Sequence, residues 1–241
     1  MAITVPNAIS ATGTGATVAL ATQTDQAGDS IVVLFVVLTT QLVVSVTDTE
    51  SNTYDLLGTA PFFGANGACN ASIWLAVNIA GSGSNVITAT ADSTGQASVL
   101  GITVRGVKAV PLDKNIDWVD DLVSPYVTQS TGTLSQANEI VIAAFADDST
   151  NGAASANTSG FTNLVERVGA GGTNCMLKTL IVSSIAAKTC DMTHTGSTSS
   201  ATYILSLMEQ ETVRLSSSPR RRRHSSQNSG MSFGLNPAEW Y

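Results

Sequence analysis

Charged side chains are scarce in this sequence of 241 residues, where Asp, Glu, Lys and Arg together make up 12%. That share is about half of what a soluble domain usually carries. Hydrophobic residues make up 43%, which is enough for a sizeable core. Because charges are few and Thr, Ser, Ala, Val and Gly are many, we expect a surface of neutral polar groups. Such surfaces are common in proteins that pack against other proteins, and a plain soluble sandwich is the alternative.

Basic residues are rarer than acidic ones, and the two signs are unevenly distributed. Residues 1–213 contain 17 acidic and 6 basic residues, a net charge of −11, whereas residues 214–241 contain 5 basic residues and 1 acidic residue, a net charge of +4. An acidic body argues against general nucleic-acid binding, because phosphate repels it. The sequence therefore divides into an acidic body, residues 1–213, and a basic C-terminal arm, residues 214–241.

Cysteines and long apolar runs are also few. Three cysteines without tight spacing, Cys69, Cys175 and Cys190, are neither a disulfide framework nor a zinc site. Cys175 and Cys190 could face each other across a hairpin, but we favour three buried thiols in a reduced compartment. The most apolar run, residues 30–38, is too short to span a membrane. The first residues, "MAITVPNAIS", lack the features of a signal peptide, so we expect synthesis in a cytoplasm and no membrane partner.

Short runs rich in Val, Ile, Thr and aromatic residues, separated by Gly, Ser, Asn and Asp, dominate the body and predict β-strands. The predicted strands are residues 16–21, 30–38, 43–47, 53–57, 72–78, 85–91, 98–105, 126–129, 139–146, 163–168, 174–184, 188–194 and 201–208. Their spacing favours an all-β fold, an antiparallel β-sandwich or jelly roll, over alternating strands and helices.

Hydrophobic patterning distinguishes some of these strands from the rest. Residues 30–38, "SIVVLFVVL", and 139–146, "EIVIAAFA", show no alternation and are predicted as central strands. Residues 72–78 are apolar on both faces, which indicates a strand that is buried on both sides or lies at an interface. The best candidate for a short helical turn is residues 112–126, limited to a turn or two by Pro111 and Pro125.

Five segments stand out by their order along the chain: "VTDTESNTYDLL" (46–57), "ASIWLAVNIAGSGSNVITATA" (71–91), "GITVRGVKAVPLDKN" (101–115), "SQANEIVIAAFA" (135–146) and "SGFTNLVERV" (159–168). In this order they resemble a family of β-sandwich modules from phage virion proteins and bacterial surface or secreted proteins. Ser51 stands where that family often has Gly. The resemblance implies a jelly-roll-like sandwich used for structure or attachment, and it carries no catalytic residues.

No constellation of residues points to catalysis, and no cofactor or metal is expected. His194 precedes a turn and lacks a Ser-His-Asp arrangement around it. The pairs Asp120-Asp121 and Asp147-Asp148 are interpreted as solvated loop acids, because adjacent strand residues point to opposite faces. A calcium site near Asp147, Asp148 and Asn151 is a weaker alternative. Trp74 is expected in the core, and Trp118 and Trp240 are expected to be contact residues.

The basic arm carries the predicted partner-binding site. An arginine run can bind phosphate or carboxylate groups through its planar forks, and the acidic body of another copy offers such carboxylates. We therefore expect the arm to reach a neighbouring subunit or an underlying shell, with packaged DNA as the alternative target. The predicted partner-binding residues are Arg220, Arg221, Arg222, Arg223, Phe233, Leu235, Trp240 and Tyr241.

These features together predict a non-enzymatic structural protein of a phage virion, assembled in the host cytoplasm. The expected role is a capsid decoration or cement protein, forming a homo-oligomer, with a trimer as the expected state, and contacting the major capsid protein. The alternatives are a module that binds host-surface glycans and a module of a neck or tail fibre. Aromatic residues make up only 5% of the chain, which is few for a site that stacks on sugars, so the structural role is favoured.

Overall fold

The computed structural model describes residues 2–38, 42–64, 67–121, 125–147, 160–167, 173–193 and 200–211. Within these residues all regular secondary structure is β-strand, and every strand pair is antiparallel. The predicted all-β class and β-sandwich are confirmed. The predicted arm, residues 214–241, lies outside the described residues. Residues Met1–Glu211 form one compact unit.

The first half of this unit contains eight strands. They are β1 (Thr4–Gly13), β2 (Thr17–Ala19), β3 (Ser30–Leu38), β4 (Val43–Asp48), β5 (Asp55–Gly64), β6 (Gly67–Ala76), β7 (Ile87–Ala91) and β8 (Ala97–Arg105). Five of them form sheet I, in the order β1-β8-β3-β6-β5, and the other three form a small sheet in the order β2-β7-β4.

The second half contributes seven strands. They are β9 (Val107–Asp121), β10 (Tyr126–Val127), β11 (Asn138–Asp147), β12 (Thr162–Arg167), β13 (Asn174–Ser183), β14 (Asp191–Met192) and β15 (Ser200–Glu209). Sheet II has the order β12-β13-β11-β15-β9, and β10 pairs with β14 in a separate ribbon.

The strands stack in four layers with three apolar cores between them. Sheets I and II face each other across a core that includes Leu34 and Ile142. The other face of sheet I packs against the β2-β7-β4 sheet, around Phe35. The other face of sheet II packs against the β10–β14 ribbon, around Phe145. Both inner sheets are therefore covered on both faces, which explains why β3 and β11 are apolar without alternation.

The two halves have the same topology, which the sequence analysis did not predict. Numbering the five strands of each inner sheet in chain order, both sheets have the order first, fifth, second, fourth, third. The register agrees as well: Ile31 of β3 pairs with Ala76 and Thr103, and the matching Val141 of β11 pairs with Leu180 and Ser206. The fold is therefore a tandem pair of similar halves packed face to face.

A short sequence repeat accompanies the structural one. Residues 26–35, "QAGDSIVVLF", match residues 136–145, "QANEIVIAAF", at the turn leading into each central strand. Gln, Ala and Phe are identical, and an acid occupies the fourth position in both. Asp29 and Glu139 are therefore equivalent residues, and so are Arg105 and Met208 at the ends of β8 and β15.

Two edge strands differ from the sequence prediction. The predicted helical turn at residues 112–126 is wrong: residues 107–121 form strand β9, which pairs with β15 at the edge of sheet II. Pro111 is compatible with this strand because an edge strand needs no outward N–H donor. Strand β1 was not predicted, since Pro6 interrupts its alternating pattern, and it too lies at a sheet edge.

Candidate functional site

The predicted partner-binding residues cannot be placed, because all of them lie outside the described residues: Arg220, Arg221, Arg222, Arg223, Phe233, Leu235, Trp240 and Tyr241. Of the alternative calcium ligands, Asp147 is buried and accepts a hydrogen bond from Asn174 Nδ2 at 3.3 Å, whereas Asp148 and Asn151 also lie outside. Within the described ranges, no three His, Cys, Asp or Glu residues are grouped to hold a metal ion. The same ranges contain no helix able to cross a membrane.

The cysteines and tryptophans of the body are packing residues. All three cysteines are buried; Cys175 faces the core between the sheets and Cys190 faces the outer core of sheet II. Trp74 is buried, as predicted, and donates a hydrogen bond to Ser72 at 2.9 Å. Trp118, expected to be a contact residue, packs on Tyr203 with ring centroids 5.1 Å apart.

An acidic residue anchors the turn before the central strand of the first half. Asp29, only 2% exposed, accepts a hydrogen bond from the Gln26 N–H at 2.8 Å. Arg105, at the end of β8, donates Nε and Nη2 to the two carboxylate oxygens at 2.9 and 2.8 Å. This bidentate hydrogen bonding with Asp29 raises the pKa of Arg105. The ion pair links the turn before β3 to the end of β8, the neighbouring strand in sheet I.

A second buried polar cluster lies beside this turn. Asn85, fully buried, donates its Nδ2 to both Asp25 and Asp48, at 3.0 and 3.1 Å. Asp25 also accepts from Gln23, Thr103 and Asn7. Burial alone would raise the pKa of Asp48, but hydrogen bonds from neighbouring side chains and from a backbone N–H hold it below the ordinary value. Because donors already surround both carboxylates, this cluster fixes loops to one another and leaves little scope for an ion.

A left-handed turn completes that cluster. Asp48 accepts the backbone N–H groups of Glu50 and Asn52 at 3.2 and 2.9 Å, and between them Ser51 has φ = 60°. Glycine is favoured at such a backbone conformation. This explains in physical terms why a glycine suits the position at which the sequence has Ser51.

The equivalent acidic position in the second half has different partners. Glu139 accepts the Gln136 N–H at 3.0 Å, just as Asp29 accepts the Gln26 N–H, but Met208 stands where the first half has its arginine. Asp113 of β9 approaches from the side, and it accepts hydrogen bonds from the Ser135 backbone N–H, at 2.8 Å, and hydroxyl. Burial first, and then the charge of Asp113, raise the pKa of Glu139.

An open apolar seam lies between edge strand β1 of sheet I and strands β12 and β13 of sheet II. A groove there is lined by Val5, Leu164 and Ile181 among others, and a second cavity that shares Ile181 is lined by Ile3 and Glu209. Ile181 is 55% exposed, although Cys175 and Leu177 on the same face of β13 lie in the central core. The seam is the candidate interaction surface of the described body.

Comparisons with protein-family models, with curated proteins and with solved structures gave no match.

Proposed function

We propose that the protein is a non-enzymatic structural component of a tailed-phage virion, a decoration or cement protein of the capsid whose basic arm attaches it to acidic surfaces. The resemblance of the segments within residues 46–168 to virion and surface modules supports this assignment. So does a four-layer body, whose layers share three apolar cores and whose turns are fixed by buried polar networks.

The observation that carries the proposal is the opposition of charge between body and arm. Among the charged side chains of the body whose burial the structure describes, those that are exposed are all acids: Asp55, Asp92, Asp117, Asp120 and Glu211. The described lysines and Arg105 are buried or half-buried. The arm adds Arg214 and the run 220–223. A surface of exposed carboxylates on one copy therefore suits the guanidinium groups of another.

This charge pattern also indicates the partners. Bodies with a net charge of −11 repel one another, so an arm with a net charge of +4 favours contact between copies or with the major capsid protein. A homo-oligomer, with a trimer as the expected state, is the assembly we propose. Contact of the arginine run with packaged DNA is the alternative.

A particle-stability comparison tests the proposed function. Particles assembled with and without the protein would be heated, and release of DNA would be followed with an intercalating dye. A cement protein lowers the release temperature when it is missing and restores it when purified protein is added back. If release is unchanged and the protein instead binds defined glycans on an array, the glycan-binding alternative replaces the proposal.

A further inference from the structure

The open seam coincides with an unpaired strand edge. Strand β13 pairs with β11 along its whole length, residues 174–183, but β12 pairs with β13 only as far as Thr179. In the described part of the chain, residues 180–183 therefore have no strand on their outer side. Their outward backbone groups lie beside the groove that Val5, Leu164 and Ile181 line. An unpaired edge beside an apolar groove is a template for the addition of an extended segment.

Three of the four edges of the inner sheets carry a residue that discourages such addition. Pro6 lies in β1, Pro61 in β5 and Pro111 in β9, and proline cannot donate a backbone hydrogen bond to an added strand. The outer edge of β13 at residues 180–183 carries no proline and no charge, and it presents Ile181.

The duplicated first half provides an internal comparison, because its equivalent seam lies between β9 and β5. That seam is closed: Asn115 Nδ2 donates to the Leu57 carbonyl at 3.4 Å, and Trp118 lies 3.3 Å from the position that a Cβ on Gly58 would take. Val77, the counterpart of Ile181, is half-buried. The opening at Ile181 is therefore a feature of the second half that the first half does not share.

The arm contains a segment of matching pattern. In "GMSFGLN", residues 230–236, Met231, Phe233 and Leu235 alternate with Ser232 and Gly234. An extended chain places alternate side chains on one face, so three apolar groups can enter one groove. Glu209, an acid that lines the cavity next to this groove, suits the arginine run, which ends eight positions before Met231.

We propose that residues 231–235 of one chain add as an extra β-strand to residues 180–183 of a second copy, with Met231, Phe233 and Leu235 in the groove. This inference rests on the proposed function of the arm and names the surface that receives it. A second copy is the occupant because the acidic bodies repel each other, and the basic arm supplies the charge that offsets this repulsion.

A cysteine pair in the full-length chain tests the proposal. Ser183→Cys and Met231→Cys would be combined, because an antiparallel addition that sets Phe233 opposite Ile181 sets position 231 opposite position 183 on the same face. The three native cysteines are buried and do not compete at the surface. Mild oxidation is expected to give covalent dimers and higher species, with isotope-labelled and unlabelled chains joined through positions 183 and 231. The control combines Met231→Cys with Val110→Cys, on the opposite edge of sheet II and 78% exposed. A link confined to single chains, or no excess over the control, overturns the proposal.

A substitution in the groove gives a second, independent readout. Ile181→Asp places a charge where apolar side chains would pack and is expected to weaken self-association, measured by sedimentation, on the order of tenfold or more. Val110→Asp, the matched control, is expected to leave it unchanged. If Ile181→Asp has no effect while removal of the arm abolishes particle binding, the arm attaches elsewhere and only this inference fails. If removal of the arm changes neither self-association nor particle binding, the proposed function of the arm fails too.

Discussion

Two equivalent acids show how neighbouring side chains determine whether a buried carboxylate has a basic partner. Asp29 and Glu139 occupy the same position before the two central strands, and each accepts a backbone N–H from the glutamine three residues earlier. Asp29 has Arg105 as a bidentate partner. Glu139 has Met208 in the place of that arginine and Asp113 nearby, so the carboxylate that is paired in one half is without an arginine partner in the other.

The ion pair of the first half predicts a large effect of one substitution. Arg105→Met copies the second half and leaves Asp29 buried without its counter-ion, which is expected to lower the free energy of unfolding by about 3 kcal/mol. Urea denaturation measures this. The double variant Arg105→Met with Asp29→Asn removes the orphaned charge and is expected to recover most of the loss. A double variant no more stable than the single one would contradict this account of the turn.

The second half predicts a pH dependence through Glu139. The raised pKa means that the folded state keeps a proton that the unfolded state releases. Stability is therefore expected to fall as pH rises from the ordinary glutamate value through the raised one. Other charged groups near this turn are Lys114, 3.6 Å from Asp113, and Lys108, bonded to Gln136 at 2.7 Å.

Glu139→Gln isolates this contribution, because glutamine keeps the acceptor for the Gln136 N–H and carries no proton equilibrium. The variant is expected to gain stability over the wild type as pH rises from 4 to 8, measured by urea unfolding at several pH values. Asp55→Asn, at an exposed acid of the first half, serves as the control for loss of one charge. Parallel profiles for Glu139→Gln and wild type would show that Glu139 titrates normally in the folded state.

Among the elements, the central strands are the most predictable from sequence. Residues 30–38 and 139–146 lack alternation because each is covered on both faces, and both are the middle strands of their sheets. The edge strands β1 and β9 were harder to predict. Their prolines interrupt the pattern, and charged and apolar residues in β9 fall at helix-like spacing. Only its pairing with β15 makes residues 107–121 a strand.

A substitution in β3 tests the role of the central strands. Leu34 is fully buried between the two sheets, so Leu34→Ala is expected to lower the free energy of unfolding by about 3 kcal/mol through lost burial and a residual cavity. Val44→Ala on β4, where the side chain is 57% exposed, is the control and should change it by less than about 0.5 kcal/mol. Equal effects in a denaturant titration would contradict the four-layer arrangement.

For the whole molecule, the sequence predicts the sandwich but not its duplication. In the sequence, the repeat is visible only in the ten residues that begin at Gln26 and at Gln136. Elsewhere it is visible only in the strand order and register, which are known once the strands are paired. The acidic body and basic arm could be recognised from charge alone. The open seam at Ile181 could not, because it depends on where β12 stops pairing with β13.

The central claim is that the basic arm attaches an acidic body to its neighbours. The most direct test compares the full-length protein with a chain ending at Val213 for binding to purified particles, at low and at moderate salt. The account predicts that the shortened protein stays folded and loses binding, and that salt weakens the full-length protein because the arginine contacts are screened. Equal binding by both proteins would contradict the claim and place the attachment surface on the β-sandwich body.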